Sequence, residues 1–191
     1  MLWKGGMRDA VAKIARFVTR AAPRVRRPCV VMDFDDTMVY QHPVTQAVAA
    51  NPACLAMWRM CDQLRVERYV VTARSKTRAS YDYLMRQLLR AGYTLPDGLF
   101  MVCKGGARAY HEDPNPGYFK RDVRRMLTNR GCTVLASFGD QFTDLCCPAS
   151  DNEKCIADIE AWQRDGACDR AAIVRLPAAF AALGVKLPAL Y

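Results

Sequence analysis

The chain predicts an α/β protein built on a doubly wound, mostly parallel sheet. Two observations carry that expectation. Short apolar runs alternate with longer helical patterns between residues 29 and 176, which is the rhythm of βαβ units. The first apolar run, Val30-Val31-Met32, leads directly into Asp33-Phe34-Asp35-Asp36-Thr37. Acids belong at the carboxyl end of a strand in an open parallel sheet, where such folds bind ligands. With 191 residues, 51% of them hydrophobic, the chain has the material for one ordinary core.

The elements come in order along the chain. Residues 1–27 hold Lys4, Arg8, Lys13, Arg16, Arg20, Arg24, Arg26 and Arg27 against Asp9 alone, so most of the net charge of +9 is concentrated there. Ala10, Ile14, Phe17 and Val18 fall near helical spacing within it. A basic arm, or a surface helix packed loosely on the domain, is expected. A membrane-surface or nucleic-acid-binding arm and an organellar presequence fit the same pattern. The main domain is expected over 28–191. Residues 29–34 form a continuous apolar run, as in a strand covered on both faces. Residues 44–65 contain helical stretches interrupted at Asn51-Pro52, and 41–66 is read as a small helical cap.

A second strand is expected at 69–72. A helix comes next over 76–91, with Tyr83, Leu84, Gln87, Leu88 and Ala91 near one face and Gly92 as its stop. A third strand covers 99–102, and a Gly- and Pro-rich loop covers 105–117. A basic amphipathic helix is expected over 118–130, closed by Gly131. A fourth strand lies at 133–138, a helix at about 152–164, and a fifth strand at 172–176. The apolar tail 177–191 is expected to pack back on the domain.

Composition narrows the function classes. No stretch approaches the roughly 18–20 apolar residues of a membrane span. The nine cysteines are scattered and form no C-x-x-C pair. That usage suits buried thiols in a reducing, intracellular compartment rather than a disulfide framework or a zinc site. His42 and His111 are the two histidines, too few for a histidine-rich metal centre.

The strand ends carry the chemistry. Side chains alternate along a strand, so Asp33 and Asp35 project to the same side. Two neighbouring carboxylates repel unless a cation stands between them, and hard oxygen ligands suit Mg²⁺. Thr72-Ala73 stands at the end of the second strand. Gly139-Asp140 stands at the end of the fourth, with Asp144 close behind, and Lys120 opens the helix between the third and fourth. Taken alone, Thr72 reads as a helix N-cap, Lys120 as one more solvated base beside Arg121, Arg124 and Arg125, and Asp140 and Asp144 as capping acids. Taken together and in order, they converge on one sheet edge. Acids, a hydroxyl and an amine there suit phosphoryl transfer.

These four elements resemble the motifs of the haloacid dehalogenase superfamily of phosphatases. Asp33-Phe34-Asp35-Asp36-Thr37 is similar to its first motif, DxDx[TV]. Thr72 matches the second and Lys120 the third. Gly139-Asp140-Gln141-Phe142-Thr143-Asp144 matches the fourth, GDxxxD. The run Thr72-Ala73-Arg74-Ser75 and the stretch 139–145 look most like the acid-phosphatase branch that includes plant vegetative storage proteins and class B enzymes. The resemblance covers roughly 28–191.

It implies a Mg²⁺-dependent phosphomonoester hydrolase that works through an aspartyl-phosphate. Asp33 would be the nucleophile. Asp35 would be the general acid and base, with a raised pKa. Thr72, Ala73 and Lys120 would bind phosphate. Asp33, Asp140 and the backbone carbonyl of Asp35 would hold the metal, with Asp144 in support. The phosphorylated substrate stays open between a small molecule, a nucleotide and a macromolecular end. A nucleotidase or polynucleotide phosphatase fed by the basic arm is one alternative. A non-enzymatic storage or interaction protein is another.

Overall fold

Strand β1 (Pro28–Met32) occupies the middle of a five-stranded sheet. It pairs in parallel with β4 (Glu67–Ser75) on one side and β6 (Thr133–Gly139) on the other. Beyond β4 lies β5 (Gly98–Val102), and beyond β6 lies β7 (Ala172–Arg175), both also parallel. The order is β5–β4–β1–β6–β7, so the chain winds outward one way from β1 and then the other. This is the expected doubly wound parallel sheet, and its switch point lies between β1 and β6. The computed structural model describes residues 7–41, 48–102, 116–139, 144 and 172–175. The helix expected at 152–164, residues 105–115 of the loop expected over 105–117, and the tail at 177–191 lie outside the described residues.

Alternation along the strands sorts the core into two layers. Val30 and Met32 of β1 and Val70 of β4 face one way. They pack against α1 (Met7–Ala21), α2 (Pro52–Gln63) and α3 (Arg78–Arg90) through Ile14, Val18, Met57, Trp58, Leu84 and Leu88. Cys29 and Val31, with Tyr69 and Val71, face the other way. They pack against Phe119, Val123 and Leu127 of α4 (Pro116–Asn129). Both β1 faces are therefore dry, as its unbroken apolar run requires. The helices α3 and α4 start and stop within about two residues of expectation, a normal boundary scatter. Gly92 and Gly131 each stand two residues past the helix end, at φ of 84° and 83°, where a side chain would be strained.

Two expectations are revised. The N-terminal helix is not a loosely attached arm. Val11, Ile14, Val18 and Ala22 form an i, i+3, i+7, i+11 stripe that is buried in the main core, while Lys13, Arg16 and Arg20 stay exposed. The charges mark the solvent face of a core helix. The second revision concerns the helical cap at 41–66. Its helix, α2, buries Cys54, Met57, Trp58 and Cys61 in the core beside α1 and β4, as the crossover between β1 and β4. The segment between β1 and α2 instead forms a short antiparallel pair, β2 (Val39–Gln41) with β3 (Val48–Ala50); residues 42–47 lie outside the described residues.

Hydrogen bonds lock this pair to the domain. Asn51 caps α2 by accepting from the backbone N–H of Ala53 and Cys54 at 3.1 and 3.4 Å. Its Nδ2 donates to the Thr37 carbonyl at 2.9 Å, and its backbone N–H donates to the Met38 carbonyl at 2.8 Å. The Tyr93 hydroxyl donates to the same Met38 carbonyl at 2.7 Å. The turn after β1 is thus fixed by a buried amide and a buried phenol.

Far from that edge, at the amino ends of the strands, Arg27 donates from Nε and Nη2 to the two oxygens of Glu67, each at 3.0 Å. The Tyr69 hydroxyl donates to Glu67 Oε2 at 2.5 Å and the Cys132 thiol at 3.5 Å. Partial burial alone would raise the Glu67 carboxyl, but these donors outweigh it and hold it below its ordinary value. A carboxyl lowered in the folded state contributes stability above the unfolded pKa. That contribution is lost as pH falls through the folded one. Glu67→Gln should therefore melt below the parent protein near neutral pH. The gap should close in thermal melts below about pH 4. A gap that stays constant into that acid range would disprove the linkage.

Candidate active site

The ladder between β1 and β6 runs on past the end of β1. The Asp33 backbone N–H donates to the Phe138 carbonyl at 2.9 Å. Asp33 is thereby held at the carboxyl end of the central strand, beside the switch point, with only 5% of its surface exposed. A bare carboxylate there would be costly. Its partner is Lys120, in the first turns of α4, whose Nζ donates to Asp33 Oδ1 at 2.5 Å. The same ammonium donates to Asp144 Oδ1. Lys120 and Asp144 are themselves buried. Burial alone would lower the Lys120 pKa, but the charges of Asp33 and Asp144 outweigh it and hold the ammonium above its ordinary range. The three groups form a buried carboxylate–ammonium–carboxylate bridge from β1 through α4 to the chain just after β6.

Gly139 makes that bridge possible. It ends β6, and a Cβ added there would collide with the Cβ and carboxyl of Asp144. Asp144 packs against the end of β6 closely enough that no side chain fits at Gly139. One turn after Lys120, Arg124 donates from Nη1 to the Asp144 backbone carbonyl at 2.5 Å.

A second cluster adjoins the first. Asp35 is 44% exposed and is gripped by Arg74, whose Nη2 donates to Oδ1 at 2.6 Å and whose Nε donates to Oδ2 at 2.9 Å. The Arg74 guanidinium lies 5.6 Å from the Phe34 ring centre and 5.2 Å from that of Tyr83. Its backbone N–H donates to Thr72 Oγ1 at 3.2 Å. The charge of Asp33 also acts on Arg74, more weakly than that of Asp35. Asp36, next in the turn, takes a left-handed φ of 55°, which Asp tolerates better than most residues. Burial and then the charge of Asp35 raise its carboxyl.

Of the residues the sequence singled out, Asp33, Lys120 and Asp144 are in direct contact. Thr72, buried at the end of β4's regular ladder, joins Asp35 through Arg74. Ala73 is exposed beside them. Asp140 lies outside the described residues. Arg74 and Arg124 were not anticipated as site residues. Arg124 stands at i+4 from Lys120, so helical spacing placed it on the same face. Arg74 sits in an irregular stretch of β4. Thr72 pairs with Met101 and Ser75 with Val102, so residues 73 and 74 bulge out of the ladder. Bulges near strand ends re-aim side chains in this way. An alternation rule applied to the sequence could not anticipate it.

The donors near Asp33 suit one class of metal. Among the described residues no group of three or more His, Cys, Asp or Glu side chains is arranged to hold an ion. The donors that the motifs propose, the Asp33 carboxylate and the backbone carbonyl of Asp35, would both be hard oxygens. Asp140 would add a third. Oxygen-only donors fit Mg²⁺ and not a thiolate or imidazole metal. The described cysteines, Cys29, Cys54, Cys61 and Cys132, are buried free thiols. Burial pushes the Cys54 and Cys61 thiols up to about 12, so they stay unreactive packing groups. Among the described residues no helix is long and apolar enough to cross a membrane.

No family model matches the chain, and no curated protein matches it significantly. Solved structures do. The class C acid phosphatase from Bacillus anthracis superposes with a TM-score of 0.59 at 15% identity, over 97% of this chain and 87% of that one. The same enzyme with tungstate bound gives 0.60 at 14% identity, over 98% and 87%. At such identity the likeness establishes the fold alone: a mostly parallel α/β sheet flanked by helices. It is a different acid-phosphatase class from the plant and class B proteins that the motifs resembled, and it does not fix the branch.

Proposed function

We propose that the chain is a Mg²⁺-dependent phosphomonoester hydrolase that acts through an aspartyl-phosphate on Asp33. The observation that carries this reading is the buried Asp33–Lys120–Asp144 bridge at the switch point of the sheet. A structural ion pair gains little from such burial. A carboxylate held rigid, desolvated and next to an ammonium is what a phosphate-accepting nucleophile needs.

In this reading one oxygen of Asp33 attacks phosphorus. The bond between phosphorus and the leaving oxygen breaks, and Asp35, at the mouth of the site, supplies the leaving group with its proton. Asp35 then takes a proton from the water that hydrolyses the acyl phosphate. Thr72 accepts a hydrogen bond from Arg74 and keeps its hydroxyl proton to donate to a phosphate oxygen. Lys120 offsets the charge that develops on the phosphoryl oxygens. Asp33, Asp140 and the Asp35 carbonyl would hold Mg²⁺, which supplies charge neutralisation and in-line alignment of the phosphate.

The test is a panel of phosphate monoesters with and without metal. Turnover of p-nitrophenyl phosphate should vanish in excess EDTA and return with Mg²⁺. Full turnover in EDTA would overturn the metal-dependent form of the proposal. The panel also addresses the substrate class. Arg24, Arg26 and Arg27 immediately precede β1, at the sheet edge opposite Asp33. A small monoester, a nucleotide and a polynucleotide end are therefore all compared in the panel.

A further inference from the structure

The geometry points to Arg124 as a positioning residue for the proposed nucleophile, acting through Asp144. This rests on the phosphatase reading of the same site. One face of α4 grips one residue at two points: Lys120 holds the Asp144 carboxylate, and Arg124, one turn later, holds the Asp144 backbone carbonyl. Side-chain and main-chain anchoring together fix both the place and the direction of that carboxylate. The collision that any Cβ at Gly139 would have with Asp144 shows how little slack the fold leaves there.

Arg124 reaches the Asp144 main chain, and through it the shared ammonium. Lys120 Nζ divides its donors between Asp33 and Asp144. If the Asp144 main chain drifts, its carboxylate leaves Lys120, and the ammonium is drawn onto Asp33 alone. A nucleophile held in a tighter and redirected ion pair is misaligned for in-line attack, and small misplacements cost rate steeply. The outer contact therefore governs how available Asp33 is, although it lies a whole helical turn away from Lys120. Guanidinium suits the task because its planar donors reach and orient toward a carbonyl, where a lysine would supply a mobile point charge.

The test compares Arg124→Met, which keeps most of the aliphatic stem and loses the donors, with Arg124→Lys and the parent protein. Hydrogen exchange in the peptide that contains Asp144 should be at least about tenfold faster in Arg124→Met, with β1 unchanged. Its kcat on p-nitrophenyl phosphate should fall about 10- to 100-fold with KM within about threefold, and Arg124→Lys should recover part of the loss. Unchanged exchange overturns the proposal. Faster exchange with parental kcat also overturns it, since the contact would then be structural only. If Arg124→Met does not fold, Arg124→Gln, shorter but still polar, is judged by the same two measurements. A parent protein that hydrolyses no phosphomonoester sinks the phosphatase reading instead, and exchange then decides alone whether Arg124 anchors Asp144.

Discussion

Asp33→Asn should lower phosphomonoester turnover by about 10⁴-fold or more while leaving the protein folded. The amide keeps the size of the side chain and can still accept from Lys120, and Lys120 retains Asp144 as its charged partner. The fold is therefore spared while the nucleophilic oxygen anion is removed. The check is a single preparation measured two ways: p-nitrophenyl phosphate hydrolysis for chemistry and a thermal melt for structure. A parental rate with Asn at 33 would show that no aspartyl-phosphate forms there. A collapse of both rate and melting temperature would show that Asp33 is needed for folding, and Asp33→Glu would then have to separate the two.

Lys120→Met should have the largest effect on stability. The ammonium is the shared partner of two buried carboxylates, with distances and burial that leave each of them little water. Removing one member of a buried ionic cluster costs about 3–5 kcal/mol because uncompensated charge remains. Here two like charges remain, close enough to have shared one ammonium, and they repel. Urea unfolding should report that loss. The double variant Lys120→Met/Asp144→Asn should regain part of it, because it removes one of the stranded charges. A double variant no more stable than Lys120→Met would mean that the lost packing of the lysine stem, not charge, dominates. Turnover should be lost in both, since neither retains the cation that faces the phosphate.

The residues that proved legible in advance share a physical property. Asp33 reports itself because a strand covered on both faces is continuously apolar, and a carboxylate at its end is an exception to that rule. Leu84 and Leu88 report themselves because helix faces repeat every three to four residues. The short pair β2–β3 gave no such signal: three-residue strands span barely one alternation, and Val48–Ala50 reads equally well as helix. The N-terminal helix misled for a different reason. Its bases dominate the composition of 1–27, yet only one stripe, Val11, Ile14 and Val18, decides where the helix goes. Asp140, the remaining acid of the fourth motif, lies outside the described residues and stands on its motif alone.

The chain's local patterns were enough to specify the parallel α/β architecture and the strand and helix ends where Asp33, Asp35, Thr72, Lys120 and Asp144 stand. Periodicity and end signals are local properties, whereas Thr72, Lys120 and Asp144 stood out only through their order along the chain. Which of them touch was settled by the folded chain. The β1–β6 pairing brings Asp33 beside the end of β6, the missing Cβ of Gly139 makes room for Asp144, and α4 crosses close enough for Lys120 to bridge both acids. The bulge at residues 73 and 74 turns Arg74 onto Asp35, and the helical turn from Lys120 to Arg124 places a second clamp on Asp144. Contacts between residues 20 to 87 positions apart depend on topology and register, and no short window of sequence contains both partners.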